Sequence, residues 1–414
     1  MKLVTAEIIT IGDEILYGQV VDTNSAWMGT ELGNIGVKVQ QITSISDTKE
    51  AIRRALDDAR TRANIVLLTG GLGPTKDDLT KATLTEYFNT ELVLDEVSLA
   101  DITLLFQSRG RDLTPLNEQQ AYLPANSKPI RNLLGTAPGM WFDVNDVVIV
   151  SMPGVPFEMQ RMMTDTVLPK LKERFTLPAI IHKVVQTVGI GESALAEIIT
   201  EWEDNLPPYI KLAYLPHLNG VRLRLTGIAE EDEELEDQML IQLDKLSDLI
   251  PRYIYAYGEV SLEETVGMLL NARSYTIATA ESCTGGYLAH RITSIPGSSM
   301  YYQGSIIAYD NQVKIRELQV KPETIDRHGA VSEEVVREMA ENVRKKFNTS
   351  IGVATSGIAG PGGGTADKPV GTIWIAYADD TQTVSKKLQY NKDRLLNIEF
   401  TAIAVLNLIR QTLT

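Results

Sequence analysis

The sequence contains one cysteine, Cys283, and only four histidines among 414 residues. A single cysteine cannot form an intrachain disulfide, which is typical of proteins from a reducing compartment. The four histidines are scattered along the chain, and no spacing of histidine and cysteine resembles a zinc site. These shortages argue against a disulfide-stapled secreted fold and against a zinc centre built from histidine and cysteine.

Basic residues are also scarce, since 39 Lys and Arg stand against 54 Asp and Glu and the net charge is −15. Direct binding of nucleic acid needs clustered cations, so we expect no nucleic-acid partner. The chain has no signal-peptide layout and no apolar run that approaches about 18 residues, so we expect a cytoplasmic protein without membrane contact. Small phosphorylated ligands are still compatible with this charge, because backbone amides and metal ions can hold phosphates.

Runs typical of strands and helices alternate in the first part of the chain, which favours a parallel sheet with helices on both faces. The predicted strands are residues 3–11, 37–45, 65–68 and 147–151, and the predicted helices are 25–35, 49–62 and one that begins near 77–78. A smaller segment of mixed strands and helices follows, and a second α/β segment ends the chain. We therefore predict an α/β protein with domains at 1–175, 178–252 and 257–414, of which the middle one is a small α+β domain.

Three loops in the last domain follow predicted strands and carry small polar residues or glycines. The first is Glu281-Ser282-Cys283-Thr284-Gly285-Gly286, which opens a helix whose free amides could stabilise an oxyanion. The alternative is that Ser282 and Thr284 only cap this helix. The other two are residues 309–314, with a phenol and an amine that could act as base or orienter, and residues 355–364, a glycine-dense stretch typical of a phosphate pocket. We expect these loops to meet at one edge of the sheet.

Two neighbouring residues in the first of these loops compete for the role of nucleophile. Cys283 carries the intrinsically better nucleophile, and a helix N-terminus lowers the pKa of a thiol. Ser282 would need a base, for which a desolvated lysine is suitable. Residue chemistry alone leaves the two nearly equal. Arg394, near the start of the last predicted helix, could pair with a phosphate, although an arginine there is more often an ordinary surface residue.

A glycine-rich loop also lies between a strand and a helix in the first domain, at residues 69–78. It lacks the spacing of a Walker A motif and the third glycine of a dinucleotide fingerprint. Its amides can still cradle phosphates, and the carboxylates of Asp77, Asp78, Asp13 and Glu14 would suit a divalent cation beside them. The equally favoured alternative is that Asp77 and Asp78 only fill the first turn of a helix.

Five blocks in the last domain resemble the C-terminal domain of the CinA family, which is similar to bacterial nicotinamide mononucleotide deamidases. The blocks are residues 281–286, 309–314, 328–332, 356–361 and 368–372. The resemblance implies that the nicotinamide amide is hydrolysed to nicotinate mononucleotide and ammonia, with a serine nucleophile and no cofactor. It favours Ser282 over Cys283 as nucleophile, with Lys314 as general base, Tyr309 as its support, Ser356 in the same site and Arg394 on the 5′-phosphate. The implied substrate-binding residues are Thr284, Gly285, Gly286, Gly357 and Gly360.

Blocks in the first domain resemble the N-terminal domain of the same family, which is similar to the molybdopterin-binding MogA/MoaB fold, a three-layer α/β/α arrangement. The blocks are residues 12–18, 22–25, 69–78, 117–121, 135–139 and 153–158. The resemblance implies an ADP-ribose pyrophosphatase that uses a divalent metal ion (Mg, Mn or Co) and releases AMP and ribose 5-phosphate. Asp77 or Asp78 is favoured for metal contact. The implied substrate-binding residues are Gly70, Gly71, Gly73, Thr75 and Asn24, and the implied metal ligands are Asp77, Asp78, Asp13 and Glu14.

The middle segment resembles the KH-like domain of the family, but Gly189-Ile190-Gly191-Glu192 lacks the Gly-x-x-Gly spacing of KH modules that bind nucleic acid. We therefore expect a spacer or dimerisation element, and the family resemblance suggests a homodimer. The favoured function is a bifunctional hydrolase of nicotinamide mononucleotide and ADP-ribose. The alternatives are a molybdopterin-binding or adenylyl-transfer protein and a non-enzymatic partner in competence or recombination.

Overall fold

The computed structural model of the protein describes residues 3–75, 78–229 and 232–414. The chain forms two compact units, one from Met1–His182 with Gly227–Asp237 and the other from Lys183–Thr226 with Gln238–Thr414. Residues 76, 77, 230 and 231 lie outside the described residues. Asp77, one of the expected metal ligands, is among them.

A six-stranded sheet forms the centre of the first unit. Its strands and those of a small hairpin are β1 (Thr5–Ile11), β2 (Lys38–Ile45), β3 (Ile65–Thr69), β4 (Leu92–Leu94), β5 (Tyr122–Pro124), β6 (Lys128–Ile130), β7 (Gly139–Val144) and β8 (Val147–Met152). The sheet order is β2-β1-β3-β8-β7-β6, and β4 pairs with β5. The first four strands of that order are parallel, whereas β7 is antiparallel to both of its neighbours. The four predicted strands are therefore parallel, as expected, and the antiparallel edge is formed by β6 and β7, which were not predicted; a two-residue hairpin joins β7 to β8.

Helices cover both faces of this sheet. They are α1 (Asp13–Leu16), α2 (Thr23–Asn34), α3 (Lys49–Arg62), α4 (Thr80–Tyr87), α5 (Glu96–Ser108), α6 (Pro115–Glu118), α7 (Pro156–Met162) and α8 (Leu168–Arg174), with a 3₁₀ turn at Gln119–Ala121 and a π turn at Met163–Val167. The residues of β3 alternate between two apolar clusters, since Ile65 and Leu67 pack with Met28 of α2, and Val66 and Leu68 pack with residues of α3 and α4. Because alternate side chains of the strand point to opposite faces, helices pack on both sides of the sheet and form three layers.

The middle of the chain is an α+β segment. Its strands are β9 (Ala179–Thr187), β10 (Ile210–His217), β11 (Gly220–Ala229) and β12 (Ile254–Tyr257), and its helices are α9 (Glu192–Asp204) and α10 (Asp232–Leu249). The sheet order is β10-β11-β9-β12. This mixture of strands and helices agrees with the small α+β domain predicted for the middle of the chain.

A five-stranded sheet organises the last part of the chain. Its strands are β13 (Ile277–Glu281), β14 (Tyr302–Ile307), β15 (Ile351–Gly357), β16 (Thr372–Ala378) and β17 (Thr383–Gln389), in the order β14-β13-β15-β16-β17. Because β13 is parallel to both β14 and β15, the carboxyl ends of these three strands lie at one edge, as the sequence predicted for their loops. The helices are α11 (Leu262–Ala272), α12 (Tyr287–Thr293), α13 (Asn311–Leu318), α14 (Pro322–His328), α15 (Glu333–Phe347) and α16 (Arg394–Leu413), with a 3₁₀ turn at Ser298–Met300.

Candidate active site

A cavity of about 210 Å³ lies at the carboxyl edge of β13, β14 and β15. The loops that follow these strands supply most of its lining, and the rest comes from the segment between α14 and α15 and from the start of α16. Its lining includes every residue that the sequence predicted as catalytic, and the full set is Ser282, Cys283, Tyr309, Asn311, Lys314, Ala330, Val331, Ser356, Gly357, Ala359 and Arg394. We call this space the Ser282 cavity.

Ser282 occupies the turn between β13 and α12 and is buried. Its backbone N–H donates to the carbonyl of Thr355, at 3.0 Å, which ties the turn to β15. The hydroxyls of Thr284 and Thr355 share a hydrogen bond of 2.8 Å that adds a second tie. Gly285 and Gly286 then adopt positive φ values of 59° and 99°, a conformation that glycine reaches without strain. The chain is thereby turned sharply into α12.

The carboxylate of Glu281 caps α12, and this corrects both predictions made for the loop. It accepts hydrogen bonds from the backbone N–H groups of Gly286, Leu288 and Ala289, at 3.0, 3.1 and 2.8 Å. These amides are therefore not free to bind an oxyanion, and neither Ser282 nor Thr284 provides the cap. Within the part of the chain that the structure describes, the N–H of Thr284 has no acceptor, and the N–H of Cys283 contacts only its own thiol. They are the amides of this turn that stay available.

Replacing Glu281 with alanine should lower the free energy of unfolding by about 2–4 kcal/mol, because three N–H groups at the start of α12 would lose a buried, charged acceptor. The side chain is fully buried, so water cannot take its place without opening the core. Urea unfolding of the purified protein measures the change. Glu323→Ala is the matched control, since Glu323 lies exposed in the first turn of α14, and its effect should stay within about 0.5 kcal/mol. Equal effects of the two substitutions would contradict the capping role.

Lys314 lies on α13 with its side chain almost completely buried. Its Nζ donates to the carbonyls of Ala308 and Tyr309, at 2.8 and 3.1 Å. Burial lowers the pKa of this lysine, and the nearby Asp310 carboxylate offsets only part of that effect. Among the described residues no hydrogen bond joins Lys314 to Ser282, although both line the same cavity. The site thus holds a desolvated amine that loses its proton more readily than an ordinary lysine.

The phenol of Tyr309 is directed toward Arg394 rather than toward the amine of Lys314. Arg394 donates through Nη2 to the Tyr309 hydroxyl at 2.9 Å and through Nη1 to the carbonyl of Gly360 at 2.6 Å. Asn397, one turn later on α16, donates to the carbonyl of Ala359 at 2.9 Å. The start of α16 therefore holds the glycine-rich loop against the cavity. Sequence reasoning did not single out Asn397, because one asparagine in a helix carries no local signal.

Ser356 anchors a further wall of the cavity. Its hydroxyl donates to the carbonyl of Ala330 at 2.6 Å, and Lys368 donates to the carbonyls of His328 and Val331 at 2.6 and 2.8 Å. Ser356 therefore helps to hold the loop at residues 328–331 in place. The wall was not predicted, although residues 328–332 and 368–372 both belong to the family-like blocks.

The environment of Cys283 separates it chemically from Ser282. Its side chain belongs to an apolar cluster that includes Leu288 and Ile292 of α12. Burial raises the pKa of the Cys283 thiol to about 12. A thiol with this pKa is protonated near neutral pH and is a weak nucleophile. The geometry therefore favours Ser282 as the reacting group.

The glycine-rich loop of the first unit follows β3 and is closely packed. Gly70 and Gly71 have φ values of 115° and 63°, and a Cβ on Gly70 would lie 2.2 Å from the carbonyl oxygen of Ile11. Thr80, at the start of α4, binds the carbonyls of both glycines. Asn24 donates to the carbonyl of Gly154 at 2.8 Å, and its buried Oδ1 has no partner among the described residues. The Oδ1 atom of Asn24 is therefore an unpaired acceptor beside the tight turn of this loop.

The helix after this loop begins at Thr80, and not near residues 77–78 as predicted. The carboxylate of Asp78 accepts from the backbone N–H of Thr75 at 2.9 Å and from the Thr75 hydroxyl. Asp78 and Thr75 therefore stabilise the glycine-rich loop, and Gly73 lies directly against the Asp78 carboxylate.

Carboxylates gather near this loop, and one of them was missed. Burial raises the pKa of Asp47, and the like charges of Glu14, Asp13 and Asp78 raise it further. Asp47 follows β2 just as Asp13 follows β1, so its position after a parallel strand could have revealed it. Oxygen donors suit a hard divalent cation. However, no group of three or more acidic, histidine or cysteine side chains in residues 3–75, 78–229 and 232–414 is placed to hold a metal, so the described residues do not complete such a site.

No helix in the described ranges combines the length and the apolar character needed to cross a membrane.

The chain is similar to known proteins over almost its whole length. Residues 7–173 match the model of a probable molybdopterin binding domain, residues 182–256 that of the damage-inducible protein CinA KH domain, and residues 259–413 that of the CinA C-terminal domain. A CinA-like protein of Cytophaga hutchinsonii is 54% identical over 408 residues, which cover 99% of this chain and 98% of that protein. One from Amoebophilus asiaticus is 44% identical over 414 residues and covers 98% of this chain and 99% of its own.

Solved structures match smaller parts of the chain. The crystal structure of CinA, of unknown function, from Thermoplasma acidophilum is 34% identical, covers 41% of this chain and 98% of its own, and gives a TM-score of 0.37. The domain matches confirm the predicted fold, which combines a MogA/MoaB-like first domain, a KH-like middle domain and a CinA C-terminal domain. With relatives of this identity along its full length, the chain belongs to the CinA family.

Proposed function

We propose that the Ser282 cavity hydrolyses the amide of nicotinamide mononucleotide to give nicotinate mononucleotide and ammonia. The proposal rests on the observation that one small cavity is lined by Ser282, Lys314, Tyr309, Ser356 and Arg394. A hydroxyl beside a desolvated amine is a known arrangement for acyl transfer without histidine. The resemblance to nicotinamide mononucleotide deamidases supplies the substrate.

The hydrogen bonds of Lys314 support its role as the general base. A neutral amine has two N–H donors and one lone pair, and the two carbonyl partners of Lys314 account for both donors. The lone pair is then left to accept the proton of the Ser282 hydroxyl. Burial, which lowers the pKa of Lys314, favours this neutral form.

The reaction then follows in two acyl-transfer steps. The Ser282 Oγ attacks the amide carbon while Lys314 takes its proton, and the free N–H groups of residues 283 and 284 stabilise the oxyanion. The carbon–nitrogen bond breaks, Lys314 returns the proton to the leaving nitrogen, and ammonia departs. Water, deprotonated by Lys314, attacks the ester, and the proton goes back to Ser282 as nicotinate mononucleotide leaves.

The pairing of Arg394 supports a role in binding the 5′-phosphate. Its guanidinium has five N–H donors, of which Tyr309 and Gly360 engage two. The remaining donors, together with the amides of the glycine-rich loop, suit a phosphate. Tyr309 then acts by orienting Arg394, and its contact with Lys314 is limited to a backbone carbonyl.

We propose a second activity for the glycine-rich loop of the first domain, the hydrolysis of ADP-ribose to AMP and ribose 5-phosphate. The observation that favours it is the gathering of Asp13, Glu14, Asp47 and Asp78 beside a loop of tightly turned glycines. Carboxylates of like charge next to a phosphate loop would suit a divalent cation (Mg, Mn or Co), although the described residues alone do not complete its ligand set. Binding of molybdopterin is the competing function of this fold, and comparing turnover of ADP-ribose with binding of molybdopterin distinguishes the two.

Adding EDTA to the purified protein should abolish ADP-ribose cleavage and leave ammonia release from nicotinamide mononucleotide unchanged. The expected difference arises because the proposed cleavage depends on carboxylates near the loop of the first domain, whereas the Ser282 cavity has an amine as its base. Ammonia is measured by a coupled assay and AMP by chromatography, and added Mg²⁺ should restore the lost activity. Loss of both activities, or survival of both, would contradict the two-site proposal.

A further inference from the structure

The glycine-rich loop beside the Ser282 cavity is held by two side chains of α16. Asn397 donates through Nδ2 to the carbonyl of Ala359 at 2.9 Å, and Arg394 donates through Nη1 to the carbonyl of Gly360 at 2.6 Å. Ala359 and Arg394 both line the cavity. Two successive carbonyls of the loop are therefore turned toward α16.

Asn397 uses both donors of its amide near this loop. The side chain is fully buried, and Nδ2 also donates to the carbonyl of Lys392, at 3.0 Å, just before α16 begins. A carbonyl group can only accept, so these two bonds determine which end of the amide is the nitrogen. The Oδ1 atom is buried and has no partner among the described residues. The fold thus bears the cost of one unpaired acceptor where it places two donors.

The bond from Asn397 to Ala359 also determines the direction of the next N–H group. The peptide that joins Ala359 to Gly360 is trans, so its N–H and its carbonyl point in opposite directions. The Gly360 N–H is therefore directed away from Asn397. Gly360 is buried, and in the part of the chain that the structure describes its N–H has no acceptor. A buried N–H group without an acceptor is rare, so this one calls for a ligand.

The two possible orientations of this peptide would have opposite effects on a phosphate. In the observed orientation the carbonyl of Ala359 stays on α16 and the N–H is left free, and backbone N–H groups attract anions. The reversed orientation would expose a carbonyl oxygen, which repels a phosphate. Glycine is conformationally permissive, so a peptide beside Gly360 can turn over unless another group holds it. The bond from Asn397 is that constraint.

We propose that Asn397 is a positioning residue, which keeps the peptide between Ala359 and Gly360 oriented so that the Gly360 N–H donates to the substrate phosphate beside Arg394. The inference rests on the proposed deamidation of nicotinamide mononucleotide and adds to it the residue that prepares the phosphate subsite. Asn397 acts through the loop and not by touching the substrate. Binding of ligands that carry the phosphate should therefore depend on Asn397, and binding of ligands without it should not.

Titration calorimetry of the full-length protein with nicotinate mononucleotide and nicotinate riboside tests the inference. The first ligand is the product of the proposed reaction, and the second differs from it only in lacking the phosphate. The wild type should bind the mononucleotide about 100-fold more tightly, because both Arg394 and the Gly360 N–H bind the phosphate. Asn397→Leu should weaken the binding of the mononucleotide about tenfold and leave the binding of the riboside unchanged, since Arg394 remains.

Asn407→Leu is the matched control for this substitution. Asn407 is also a buried asparagine of α16, but its Oδ1 accepts from the guanidinium of Arg410 at the other end of the helix. The control removes a buried amide of the same size from the same helix without altering the contact to Ala359. It should therefore keep the full preference for the mononucleotide.

Equal affinities of the wild type for the two ligands would overturn the inference, even if a variant failed to fold. The inference would also fall if Asn397→Leu, shown by thermal unfolding to be folded, kept the full preference or weakened the binding of both ligands equally. Ammonia release from nicotinamide mononucleotide separates the inference from the activity on which it rests. Release without a preference for the phosphate would refute only the role of Asn397, and a preference that depends on Asn397 without release would refute only the activity.

Discussion

Replacing Ser282 with alanine should lower kcat for nicotinamide mononucleotide by about 10⁴-fold or more, the scale seen when a serine nucleophile is deleted. Cys283→Ala should keep most of the wild-type activity, because the thiol is buried and its pKa is raised to about 12. The two substitutions differ by one position on the same turn, so each controls for local disturbance by the other. Steady-state release of ammonia measures both.

The opposite result would reassign the nucleophile. Retained activity in Ser282→Ala, with loss in Cys283→Ala, would mean that the Cys283 thiol is the nucleophile. Because Cys283 packs in an apolar cluster, its replacement should also cost about 1–2 kcal/mol of stability. Unfolding measured on both variants separates this cost from any effect on the reaction.

Replacing Lys314 with methionine should lower kcat by about 10²–10⁴-fold, as expected for loss of a general base, with a smaller change in KM. The rate of the wild type should rise with pH and level off below the ordinary lysine value of about 10.4, because burial lowers the pKa of Lys314. The variant should lack this rising limb. Lys314→Arg keeps the charge but cannot give up its proton, so it should be as inactive as Lys314→Met.

Stability gives an independent measure of the same pKa. The folded state holds Lys314 with a lowered pKa, so the unfolded chain binds more protons, and the free energy of unfolding rises with pH up to about 10.4. Lys314→Met should lose this contribution, whereas Lys387→Met, an exposed control on β17, should keep it. An active Lys314→Arg variant, or a pH–rate profile unchanged in Lys314→Met, would rule out the general-base role.

Elements with strong local signals were predicted closely from the sequence. Helix α3 matches residues 49–62 at both ends, and Thr48 caps its first turn. Helix α15 begins directly after Ser332, a residue type favoured at helix N-caps, and the Ser332 hydroxyl accepts from the N–H of Val335. In each case, the residues that define the element lie within it or beside it.

Elements determined by distant contacts were harder to predict. Strand β17 was missed because its Lys386 and Lys387 fall on the edge of the sheet, where exposed lysines obscure the alternation of a strand. Strand β7 was missed as well, and with it the antiparallel side of the first sheet. The same distinction between local signals and distant contacts applies to the candidate active site. The loops around Ser282 and Lys314 could be located, whereas the capping by Glu281 and the contact between Tyr309 and Arg394 join residues that no local pattern connects.

The walls of the Ser282 cavity share one kind of contact, in which a side chain donates to a backbone carbonyl. Ser356 binds the carbonyl of Ala330, and Lys368 binds the carbonyls of His328 and Val331. Every amino acid offers such a carbonyl, so the accepting positions are not constrained by these contacts. Evolutionary drift should therefore be asymmetric, with Ser356 and Lys368 held constant while a position such as His328 can change its side chain and leave the shape of the cavity intact.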